Sequence, residues 1–217
     1  MSDLFMTEPP QSAADFIPEN PTLPRLKEAA KECTGCPLYR NATQTVFGAG
    51  SKEAQVVLVG EQPGDREDLE GQPFVGPAGK LLDRALEEAE IARAETYVTN
   101  AVKHFKWELR GKRRLHKKPS ERELEACLPW LEAELKALRP KLIVCLGVSA
   151  ARSIFGAAVR IKDYRGSFSP SRWGVEAFVT VHPSSLLRLQ GEQEREVEYK
   201  RFVADLKMVR ERLKRRK

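Results

Sequence analysis

The sequence predicts an α/β protein of three layers, α/β/α, built on a central parallel sheet of four strands. Three observations carry this prediction. Four short apolar runs each close on a glycine or a polar residue, and helical patterns with one apolar face separate them. The 217 residues, 41% hydrophobic, suffice for one sizeable core and are short for two. Alternating strands and helices imply a parallel sheet flanked by helices, and such sheets place their sites outside the strand carboxyl ends.

Residues 1–20 carry Asp3, Glu8, Asp15 and Glu19, several prolines and no Lys or Arg, the composition of a disordered acidic arm. Residues 21–217 are expected to form a single domain. A short helix over 21–33 has Leu23, Leu26 and Ala29 or Ala30 at helical spacing and leads into Cys33-Thr34-Gly35-Cys36. Residues 55–60 (QVVLVG) are a continuous apolar run ended by glycine, the pattern of a buried parallel strand that opens into a functional loop, here spanning 61–77. A helix over 78–91 presents Leu81, Leu82, Ala85, Leu86 and Ala89 as one stripe, and 96–99 (TYVT) form a second strand before Asn100, completing a βαβ unit. After a basic segment, Ser120 with Glu123 spells a capping box for a helix reaching Leu138 and kinked at Pro129. Residues 141–147 (KLIVCLG) are a third strand and 149–155 a short helix. An irregular stretch leads to a fourth strand, 177–181 (AFVTV), ending at His182-Pro183-Ser184, and an amphipathic helix from 195 carries a basic tail. The strand ends bear Glu61-Gln62-Pro63-Gly64, Asn100, Gly147 and His182-Pro183-Ser184, which defines a candidate site.

Lys and Arg number 37 against 31 Asp and Glu, a net charge of +6 that favours a polyanionic partner. The cations gather in two places. One holds Lys103, Lys106, Arg110, Lys112, Arg113, Arg114, Lys117 and Lys118; the other is the tail Arg210, Arg212, Lys214, Arg215, Arg216 and Lys217. No apolar run approaches the roughly 20 residues of a membrane helix, and the N-terminus lacks a basic-then-apolar leader, so the expected location is cytoplasmic, with no membrane partner. In a reducing compartment four cysteines suit metal ligation or free thiols better than disulfides. Cys33 and Cys36 have the spacing of two ligands on one metal, while Cys127 on a helix and Cys145 on a strand, 18 positions apart, fit ligation or burial as small apolar side chains equally well. That wide spacing disfavours a zinc ribbon and leaves iron–sulfur as the better metal reading.

Gly60-Glu61-Gln62-Pro63-Gly64 followed by Gly71-Gln72-Pro73-Phe74-Val75-Gly76-Pro77-Ala78-Gly79 resembles the first motif of the iron–sulfur branch of the uracil-DNA glycosylase superfamily, family 4. Thr99-Asn100-Ala101-Val102-Lys103 and His182-Pro183-Ser184 resemble its next two motifs. Gln62 and the insertion Gly111-Lys112-Arg113-Arg114-Leu115-His116 are similar to the UdgX subgroup, whose members excise uracil and stay joined to the deoxyribose through the histidine of a Lys-Arg-Arg-Ile-His loop; here Leu115 replaces the isoleucine.

The resemblance implies a uracil-DNA glycosylase fold, a 4Fe-4S cluster on Cys33, Cys36, Cys127 and Cys145, and uracil-containing DNA, single-stranded favoured, as substrate. Glu61, His116 and His182 would be catalytic, and Gln62, Gly64, Asp65, Phe74, Asn100, Arg114 and Ser184 would bind substrate. Phe74 would stack on an extruded uracil, and the Asn100 amide would pair with its O4 and N3–H. Glu61 would face the electron-poor sugar, and His182 would donate to the uracil O2. Attack by a neutral His116 at C1′ would leave a stable N-glycoside, with Arg113, Arg114, Lys117 and Lys118 disfavouring the imidazolium and gripping phosphates. Hydrolytic release of an abasic site is the nearest alternative, and a non-enzymatic metal-stabilised DNA-binding module the next. A monomer is expected.

Overall fold

The computed structural model describes residues 12–156 and 159–215. Its main sheet holds the four expected strands, β2 (Val56–Gly60), β3 (Thr96–Asn100), β6 (Leu142–Leu146) and β8 (Glu176–Thr180), parallel in the order β3-β2-β6-β8. Two short antiparallel strands that the sequence did not reveal extend it to six: β1 (Ala49–Gly50) beside β3, and β7 (Phe168–Pro170) beside β8. At two and three residues, these edges are too short to show a period-two pattern.

Side chains alternate across the sheet as strand geometry requires. Val56, Leu58, Val98, Leu142, Val144 and Phe178 face one layer, formed by α3 (Pro77–Glu88), α7 (Pro183–Leu187) and α8 (Glu192–Lys214). Val57, Val59, Ile143, Cys145, Ala177 and Val179 face the other, formed by α4 (Glu121–Leu138) and α5 (Val148–Phe155). Burial on both faces explains why the strands read as continuous apolar runs. The Ser120–Glu123 capping box forms at the start of α4, and that helix runs through Pro129 without interruption. The irregular stretch before β8 contains a short helix, α6 (Ile161–Tyr164), as well as β7.

Of the acidic arm expected over 1–20, residues 1–11 lie outside the described residues. From Ser12 onward the chain is folded: Ala13–Phe16 form a 3-10 helix capped by the Ser12 hydroxyl, and Ala13 is buried. This segment and α1 (Leu23–Ala30) cover α4, enclosing a third apolar cluster around Trp130, Cys33, Cys36 and Cys127. Between Gly60 and α3 lies α2 (Asp65–Glu70).

The basic segment departs most from expectation. It is a hairpin, β4 (Trp107–Arg110) paired with β5 (Arg113–His116), in a register that sets His116 opposite Trp107. Gly111, at φ +61°, supplies the left-handed conformation that a two-residue turn needs. Lys103, counted with the basic surface, is instead fully buried in an ion pair with Glu134 at 2.5 Å.

Candidate active site

In-register pairing of Gly60 with Asn100, and of Leu146 with Thr180, brings the strand carboxyl ends level. A cavity of about 640 Å³ opens there, lined by Glu61, Gln62, Gly64, Phe74, Asn100, His116, His182 and Ser184 among the expected residues. Its wall also includes Lys118, expected as part of the basic segment, and Glu67, Ser149 and Arg188, which sequence reasoning missed. Asp65 and Arg114 are not part of this lining.

Phe74 and Asn100 build one wall. Gly60 makes it possible, since a Cβ there would stand 2.3 Å from the Asn100 Oδ1 and 2.8 Å from the Phe74 Cζ. Phe74 holds a left-handed backbone, φ +59°, which a bulky residue adopts only under constraint from its surroundings. Its ring stacks near His182 with centroids 6.0 Å apart. The Asn100 Oδ1 is buried without a hydrogen-bond partner, an acceptor facing Gly60 and the Phe74 ring. Glu67 fastens the loop that carries Phe74 by accepting from the Gly64 amide before it and the Gly76 amide after it.

His182 has its protonation state fixed by its neighbours. The Ser184 amide donates to Nδ1 at 3.1 Å, so the proton of the neutral ring sits on Nε2. Burial, helped by the charges of Arg188 and His116, lowers its pKa to about 4. The ring is therefore a neutral donor at physiological pH.

Opposite stand Glu61 and His116, with Nε2 of the imidazole 3.5 Å from the carboxylate Oε1. Burial lowers the His116 pKa and Arg188 lowers it further, while Glu61 acts in the opposite sense. The expectation that Arg113, Arg114, Lys117 and Lys118 would do this is corrected. Lys117 pairs with Glu108, and Arg114 pairs with Asp65 and Asp68, both at 2.6 Å; the cation whose charge lowers the His116 pKa is Arg188.

Arg114 is likewise not a free substrate ligand. Its guanidinium lies over Phe105 and Trp107 and pins the hairpin to α2 through Asp68, which also accepts from the Thr43 amide. Asp65 is spent on the same contact. Gln62 lines the cavity, but its side chain clamps the hairpin neck: Nε2 donates to the Lys106 and Lys117 carbonyls, and Oε1 accepts from the Lys106 amide. Together these contacts set His116 beside Glu61.

Ser149 completes the group. It is buried at the second position of α5, and its hydroxyl donates to the Glu61 Oε2. Its place two residues after Gly147, at a strand end already assigned to the site, was the available signal.

The cysteines divide three to one. Cys33, Cys36 and Cys127 share the third apolar cluster and influence one another electrostatically. Burial raises the Cys36 thiol to about 11 and the Cys127 thiol to about 12. The Trp130 Nε1–H donates to the Cys33 Sγ at 3.2 Å and the Lys103 amide to the Cys127 Sγ at 3.3 Å, an arrangement that suits thiolates. Cys145 corrects the expected ligand set: it packs in the second cluster with Val57, Leu131 and Val179, and burial alone raises its pKa. Among the described residues no three His, Cys, Asp or Glu side chains are arranged to hold a metal ion. Cys33, Cys36 and Cys127 share one cluster and supply donors of the kind an iron–sulfur group takes, while the fourth expected ligand, Cys145, lies in another. His104, also missed, is buried, and burial lowers its pKa to about 4.

No helix among the described residues is long and apolar enough to cross a membrane. Residues 47–207 match the model of the uracil DNA glycosylase superfamily. The chain is 38% identical to a type-4 uracil-DNA glycosylase of Thermotoga maritima, covering 79% of this chain and 86% of the relative. It is 34% identical to one of Pyrobaculum aerophilum, covering 81% and 91%, and 37% identical to one of Archaeoglobus fulgidus, covering 78% and 86%. With strand ends, cavity and family match in agreement over the same residues, the chain belongs to the uracil DNA glycosylase superfamily.

Proposed function

We propose that the protein excises uracil from DNA, with single-stranded substrate favoured, and that His116 then holds the deoxyribose in a covalent bond, as in the UdgX subgroup. The observation that carries this reading is His116 within 3.5 Å of Glu61, on the wall of the cavity that Asn100 lines. The unpartnered Asn100 Oδ1 would accept from the uracil N3–H, its amide nitrogen would donate to O4, and Phe74 would stack on the base. His182 would donate its Nε2 proton to O2 as negative charge develops there, and Glu61 would face the positive charge growing at C1′.

As the C1′–N1 bond breaks, its electron pair leaves with uracil. A lone pair of the neutral His116 ring then forms the N–C1′ bond. The ring gives up its N–H proton and the uracil anion gains one, so charge and atoms balance. A neutral imidazole N-glycoside has a poor leaving group, and the adduct persists. Hydrolysis is the second reading, favoured by the names of the relatives, with water taking the place of the imidazole. A 4Fe-4S cluster would be held by Cys33, Cys36 and Cys127 and would tie the N-terminal segment to α4. Glycosidic cleavage is redox-neutral, so its steps fall to the residues of the cavity.

Incubation with a uracil-bearing single-stranded oligonucleotide, followed by a denaturing gel and mass spectrometry of the digest, tests the proposal. A deoxyribose-modified peptide containing His116 is expected, and His116→Ser should abolish it. Free protein with an abasic product would establish hydrolysis instead. Full uracil release by Glu61→Gln would remove that carboxylate from the chemistry, and no release by the wild-type protein would favour a binding module.

A further inference from the structure

Glu61 has two carboxylate oxygens with different neighbours. Oε1 faces the His116 Nε2 at 3.5 Å, and Oε2 takes the hydroxyl proton of Ser149. The serine is 1% exposed and sits in the first turn of α5, a helix packed against the sheet through Ala150, Ala151 and Ile154. A carboxylate at the mouth of a cavity can rotate about its last bond and offer either oxygen, whereas a hydroxyl donating from a buried helix turn fixes one of them. We infer that Ser149 is a positioning residue for Glu61, holding Oε2 so that Oε1 is presented to the sugar and to His116. This rests on the uracil-excision reading above.

Threonine and valine at position 149 have the same shape, and only threonine keeps the hydroxyl. The test compares Ser149→Thr with Ser149→Val in single-turnover uracil release from a uracil-bearing single-stranded oligonucleotide. Binding of a thymine-containing control oligonucleotide is measured alongside. Ser149→Thr should stay near the wild-type rate, Ser149→Val should fall roughly 10- to 100-fold below it, and both should bind the control as the wild type does. Equal rates for the two variants, whether both fast or both slow, would overturn the inference, since the hydroxyl would then be without effect. A wild-type protein that releases no uracil would overturn the excision reading and the Ser149 role with it, an outcome distinct from failure of Ser149 alone.

Discussion

Arg188 illustrates how one side chain can bias two others. It lines the cavity, donates to the Ser184 hydroxyl at 3.3 Å and lowers the pKa of both His116 and His182. For a nucleophilic imidazole the neutral form is the active one, so a lowered pKa keeps attack possible at more acidic pH. Adduct formation should therefore persist below pH 6.5, the ordinary histidine value. Arg188→Ala removes a cation, His116 then protonates more readily, and the acidic limb of the adduct-formation rate should move to higher pH. Rates of adduct formation measured by quenched gel from pH 5 to 8 check this, and an unmoved limb would remove Arg188 from the account. For His182 the linkage runs the same way. Its folded pKa of about 4 lies below the unfolded value, so the stability it contributes is complete above pH 6.5 and is lost as pH falls through about 4. His182→Asn should flatten that part of the urea-midpoint profile.

At the scale of elements, the hairpin β4–β5 and the cysteine-bearing segments show what local pattern cannot supply. The hairpin is rich in exposed charge and buries little surface of its own. Its position depends on two tethers, Gln62 at the neck and Arg114 on α2. Removing a hydrogen-bonded charge from a part-buried pair costs a few kcal/mol at most. Arg114→Ala should thus leave the protein folded while displacing His116, lowering adduct yield more than uracil release. Parallel gel and free-uracil assays would reveal the split, and equal losses in both would count against a hairpin that serves His116 alone. For the cysteines, Cys127→Ala should lose bound iron, whereas Cys145→Ala should keep it, because Cys145 lies in the apolar layer under the sheet. Iron content and absorbance near roughly 400 nm decide.

For the whole molecule, the buried Lys103–Glu134 pair joins three regions. Glu134 of α4 accepts from the Gly48 amide, the Tyr97 hydroxyl and the Thr99 hydroxyl, and Lys103 also donates to the Asn100 carbonyl. The network thus links α4, the sheet edge and the residue assigned to uracil. Breaking one partner of a fully buried pair leaves an uncompensated charge, so Glu134→Ala should cost about 3–5 kcal/mol in denaturant unfolding. Replacing both partners, Lys103→Met with Glu134→Leu, should recover part of that loss. If the double variant is no more stable than the single, the pair does more than cancel its own charges.

Strands β2, β3, β6 and β8, the capping box of α4 and the grouping of Glu61, Asn100 and His182 were legible in the chain itself. A strand buried on both faces reads as an apolar run and a cap as a local spelling, and parallel topology brings carboxyl ends together whatever the details. Cys145 as a core side chain, Lys103 as a buried cation, Arg114 as a tether and Ser149 beside Glu61 were decided only by the tertiary structure. Each depends on a partner distant in sequence, 88 positions away for Ser149 and 46 for the Arg114–Asp68 contact. Whether a cation meets a carboxylate, a thiol meets another thiol or a hydroxyl meets an acid is settled when the layers pack, and no local periodicity records that meeting.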